Sequence, residues 1–73
     1  MDNVINAVLR LNLTLAETRI LLLLGQRSAT YTDMRTSINM FDQSTSRGIK
    51  LLLASKLIVK QGRVYSLNHE MFL

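Results

Sequence analysis

The stretch DQSTSRGIKLLLASKLIVKQGRVYSL, Asp42 to Leu67, changes its hydrophobic period part-way along. Up to Ser55 the apolar positions recur at helical spacing. Thr45, Ile49, Leu52 and Leu53 share an inward face, while Gln43, Ser44, Arg47, Lys50, Leu51 and Ala54 share an outward one that is polar and basic where it begins. Asp42 is a residue type able to cap the first free N–H groups, so a helix is predicted from Gln43 to about Ser55. Beyond Ser55 the period drops to two. Leu57–Lys60 and Arg63–Leu67 are rich in β-branched and aromatic residues, and Gln61 and Gly62 between them predict a tight hairpin turn.

Working outward, Thr14 followed by Glu17 is a capping-box pair, and the helix it opens runs to about Leu24, with Gly25 near its end. Ala16, Ile20, Leu23 and Leu24 fall on one face of that helix, and Leu15 and Leu22 point away from it. A shorter helix is predicted from Tyr31 to about Asn39, started by Thr30 or Thr32, with Met34 and Ile38 inward. Asn39 tolerates a left-handed turn, and Met40 and Phe41 supply apolar anchors inside the connection to the next helix. Asp2–Arg10 reads as a short amphipathic helix capped by Asp2, with Val4, Ile5, Val8 and Leu9 at helical spacing.

The chain has 73 residues, room for one compact domain: an N-terminal helix over 1–12, a core over 13–67 and a tail over 68–73. The fold class is mainly α with a small β-hairpin (α+β). No cysteine is present, which removes both disulfide staples and thiolate metal sites and fits a reducing cytoplasm. The longest apolar run, Ile20 to Leu24, falls far short of the roughly 20 residues a membrane span needs, and Asp2 and Asn3 do not open a signal peptide. A soluble, cytoplasmic protein is expected. His69, the one histidine, has only Glu70 as a carboxylate neighbour and reads as a surface or packing residue. GQRS at Gly25 lacks the second glycine and the lysine of a phosphate loop, so neither an enzyme, nor a cofactor, nor a metal is indicated.

Charge is unevenly placed. Acids and bases cancel from Met1 to Met34, and the whole net charge of +4 falls from Arg35 onward, where Arg35, Arg47, Lys50, Lys56, Lys60 and Arg63 face only Asp42 and Glu70. Two helices joined by a short turn, the second basic on its outward face and followed at once by a hairpin, make a winged helix-turn-helix with an extra N-terminal helix. A B-form major groove about 12 Å wide accepts one helix, which reads bases from side chains near its N-terminus. Gln43, Ser44, Thr45, Ser46, Arg47 and Lys50 are therefore the candidate double-stranded DNA contacts on the helix, with Lys60, Gln61 and Arg63 on a stubby wing against the backbone. The alternative is a winged-helix protein-interaction module, an adaptor or inhibitor. Leu51 on the outward face suits a thymine methyl or a protein partner equally.

The segments LTLAETRILLLL, TYTDM and STSRGIKLLLASKLIVKQGRVYSL resemble the winged-helix DNA-binding domain of MarR-type bacterial and archaeal transcription regulators. The resemblance covers about Leu13 to Leu67. It implies a transcription regulator in which Ser46 and Arg47 stand at the serine-arginine pair of the recognition helix, and Leu57, Ile58 and Lys60 at the strand into the wing. Lys56 stands where such proteins carry a glycine, so the helix end must be closed differently. The long helices through which MarR-type proteins dimerise and bind ligands have only 1–10 and 68–73 in their place, and no small-molecule ligand is carried over.

The apolar surplus, 48% of residues, exceeds what one small core absorbs. A homodimer is expected, with Val4, Ile5, Val8, Leu9, Leu15, Leu22, Met71, Phe72 and Leu73 at its interface. The alternative is that the first helix folds back over Leu15 and Leu22 within one chain.

Overall fold

The computed structural model describes residues 2–72. Helix α1 (Asp2–Leu11) is followed by α2 (Leu15–Leu24), strand β1 (Ala29–Thr30), α3 (Tyr31–Ile38), α4 (Asp42–Ala54), β2 (Ile58–Gln61) and β3 (Val64–Leu67), and a 3-10 turn over His69–Phe72 closes the chain. None of these helices is long and apolar enough to cross a membrane.

The capping box at the start of α2 is present in both directions. Glu17 Oε1 accepts from the Thr14 N–H at 3.2 Å and from its hydroxyl at 2.9 Å, and Thr14 Oγ1 accepts from the Glu17 N–H at 3.3 Å. These bonds give the buried Glu17 a partner at Oε1, and no buried side-chain oxygen or nitrogen among the described residues lacks one. The core face of α2 is Ala16, Glu17, Ile20, Leu21 and Leu24, so Leu21 takes the place expected of Leu23, which is half-buried. The reason is that α2 is apolar almost all round and is packed by α1, α3, α4 and β3 together, which leaves its periodicity little contrast.

Helix α1 folds back within the chain. Val4 is buried, and Val8 and Leu22 pack partly buried against the core. Phe72 is also buried in that core, and Leu73 lies outside the described residues. Val4 and Phe72 are therefore corrected from interface to intramolecular packing, while Val8 and Leu22 pack in part against the same core.

Gly48 is buried where α4 crosses α2. A Cβ there would lie 3.0 Å from Ile20 Cδ1 and 3.1 Å from Ala16 Cβ, so the missing side chain sets how closely the two helices approach. Helix α4 begins at Asp42 itself, one residue before expectation. Phe41 holds the N-cap position, and since its side chain carries no acceptor, no side chain caps the helix.

The end of α4 solves the missing glycine. Leu57 N–H donates to Leu52 O at 3.0 Å and Lys56 N–H to Leu53 O at 3.1 Å, the paired bonds of a Schellman motif. Lys56 takes the left-handed conformation itself, at φ +62°.

The sheet has three strands in the order β1-β3-β2, all antiparallel. Strand β1, absent from the sequence expectation, pairs Ala29 with Tyr65 and Thr30 with Val64. Gln61 pairs with Val64, so the turn residues are Gly62 and Arg63 rather than Gln61 and Gly62. Gly62 carries the turn's positive φ of 64°. Ile58, Tyr65 and Leu67 face the core.

Candidate nucleic-acid interface

The turn between α3 and α4 fixes the site. Thr30 and Asp33 form a second capping box at the start of α3, and Asn39 ends that helix in the left-handed region at φ 51°. The Thr30 N–H bonds the Asp33 carboxylate at 3.2 Å. That backbone bond, then the Thr30 hydroxyl and the nearby Arg27, hold the Asp33 carboxyl below its ordinary value of 3.8. Asn39 turns the chain so that Met40 packs half-buried against the core.

At the head of α4, Arg35 Nε meets Asp42 Oδ1 at 2.6 Å, and the Tyr31 hydroxyl lies 3.4 Å from the same oxygen and 3.3 Å from Ser46 Oγ. These contacts brace one helix against the other. They also use two residues otherwise free to face a ligand, Asp42 and Ser46.

The sequence-predicted contacts divide accordingly. Gln43, Arg47 and Lys50 are exposed on one side of α4, and Ser44 is half-buried beside them. Thr45 is corrected: it is fully buried, with its hydroxyl donating to Phe41 O at 3.1 Å, and it cannot reach a ligand. Its place on the inward face leaves no other orientation. Leu15, expected at a dimer interface, is exposed and borders a cleft of about 250 Å³ with Met40, Ser44, Arg47 and Gly48, alongside the head of α4.

Lys60, Gln61 and Arg63 are exposed on the hairpin. Lys60 Nζ sits 5.4 Å from the centre of the Tyr65 ring opposite it, a cation–π contact that holds the ammonium toward α3. Lys60 and Arg63 thereby share a cleft of about 160 Å³ with Thr30, Tyr31 and Thr32. The sequence reading missed Thr30 and Thr32 as members of this group. The signal for them is spatial, since β1 brings the start of α3 beside β3.

Neither a protein-family model nor a curated protein matches the chain. A solved structure does, the adhesin competence repressor from Streptococcus pyogenes, with a TM-score of 0.68 and 25% sequence identity over 94% of this chain. The fold is a winged helix-turn-helix. It resembles the MarR-type winged helix, as the sequence pattern implies, and the chain spans 60% of that repressor's length. In the winged helix, α3 and α4 are the helix-turn-helix pair and β2 and β3 the wing, here short enough for Arg63 to stand in its turn.

Proposed function

We propose that the protein is a sequence-specific double-stranded DNA-binding transcription regulator, with α4 as its recognition helix. The observation that carries this reading is the exposed row Gln43, Arg47 and Lys50 on a helix whose head is braced by Tyr31 and Arg35. Such a row suits the major groove: Arg47 has the fork that matches guanine O6 and N7, Gln43 can bond adenine, and Lys50 can reach a phosphate. Bracing matters because each loose side chain or helix end must otherwise be ordered on binding. The cleft of Thr30, Thr32, Lys60 and Arg63 offers hydroxyl donors and two cations for the neighbouring phosphate. Similarity to a repressor of the same fold supports the assignment to regulation.

The protein acts as a homodimer in this reading. Ile5, Leu9, Leu11 and Met71 remain exposed after the protomer has folded, Leu9 at 78%. Leu11 and Met71 border one cleft with Leu13 and Leu57. With a longest extent of 28 Å per protomer, two copies can set their recognition helices about 34 Å apart, one turn of DNA. Selection of bound fragments from a random duplex pool tests both parts. An enriched inverted repeat with about 10 base pairs between half-site centres is expected; a pool that stays unenriched overturns the reading.

A further inference from the structure

Phe41 is 87% exposed, more than any other large apolar side chain among the described residues. Its neighbours fix the backbone that carries it. The Phe41 carbonyl accepts from both the Thr45 N–H at 2.9 Å and the Thr45 hydroxyl at 3.1 Å, and Thr45 is fully buried. On one side Met40 is packed toward the core; on the other Asp42 is held by Arg35. The backbone carrying the ring is thus tied down before and after it.

Its place is the leading end of α4, at the N-cap, two positions ahead of Gln43. A recognition helix meets base edges with its N-terminal residues, so this ring arrives with Gln43 and Arg47. The apolar group that base pairs present in the major groove is the thymine C5-methyl. Arg19 shares the shallow groove beside Phe41, so the ring has a cationic neighbour that suits DNA.

We infer that Phe41 is a specificity-determining residue that packs against the C5-methyl of a thymine next to the base read by Gln43 or Arg47. The inference rests on the reading of α4 as the recognition helix. Sequence periodicity assigns Phe41 to the interior of the connection, and the structure reverses that: Met40 alone turns in.

Its test uses the full chain and the duplex enriched by selection. Each thymine is replaced in turn by deoxyuridine, which removes only the methyl. One thymine in each half-site should then cost about fourfold in affinity, the share of one buried methyl group. In Phe41→Ala, which should keep the wild-type circular dichroism and melting temperature because the ring is exposed, that sensitivity disappears. Deoxyuridine tolerated at every position, or the same loss in Phe41→Ala as in the wild type, overturns the role of Phe41 while leaving α4 as the reader. A pool that yields no enriched sequence overturns both.

Discussion

The Tyr31 hydroxyl stands 3.3 Å from Ser46 Oγ, joining the first residue of α3 to the second turn of α4. One bond of this kind contributes about 0.5–1.5 kcal/mol. Tyr31→Phe and Ser46→Ala should each lower unfolding free energy by about that amount. In a double-mutant cycle followed by urea denaturation, the two losses should not add. Additive losses would mean that the hydroxyls do not act on one another.

Lys56 occupies a left-handed conformation that costs a side-chain-bearing residue about 1 kcal/mol relative to glycine. Lys56→Gly should therefore raise stability despite the greater freedom of the unfolded chain, by roughly 0.5 kcal/mol or more. The Schellman bonds from Lys56 and Leu57 involve backbone alone and survive the change. A melting temperature that falls in Lys56→Gly contradicts this account of the helix end.

These two cases mark where the sequence was and was not legible. The capping box at Thr14, the helix start at Thr30 and the hairpin are local patterns, and local patterns survive into the fold unchanged in kind. Strand β1 is two residues long, and nothing at Ala29 and Thr30 announces a pairing made with Val64 and Tyr65 far along the chain. Phe41 and Phe72 show the same limit from both sides. An apolar residue in a connection or a tail carries no local mark of what covers it: α1 and its neighbours enclose Phe72, and nothing in the protomer encloses Phe41. For the candidate site, helical spacing located Gln43, Arg47 and Lys50, whereas the brace on Ser46 depends on Tyr31 across the turn.

The Asp33 carboxyl is held below 3.8 chiefly by the Thr30 backbone N–H, then by the Thr30 hydroxyl. A carboxyl depressed in the folded state stabilises it above the unfolded value, and the contribution is lost as pH falls through the lower, folded value. Asp33→Asn should thus be less stable than the wild type at neutral pH. The gap should narrow as pH drops below 3.8, when urea midpoints are compared across the range. A gap independent of pH would show that the carboxylate charge plays no part in the cap.

Lys60 and Arg63 face the cleft at the start of α3, where a phosphate is expected. Lys60→Ala and Arg63→Ala should each weaken binding to specific and unrelated duplexes alike, and each should reduce the slope of log affinity against log salt by about one. The slope, obtained from titrations at several salt concentrations, separates lost phosphate contacts from lost stability. An unchanged slope in both variants removes the wing from the interface.

Arg47 on α4 is the residue we propose reads a base. The most direct measurement compares wild type and Arg47→Ala on the selected duplex, on the same duplex changed at each position in turn, and on an unrelated duplex. Arg47→Ala should lose about 1–3 kcal/mol on the selected sequence and become indifferent to the base at one position per half-site, because a bidentate guanine contact contributes that much discrimination. Equal weakening on every duplex, with the preference at each position intact, would contradict it.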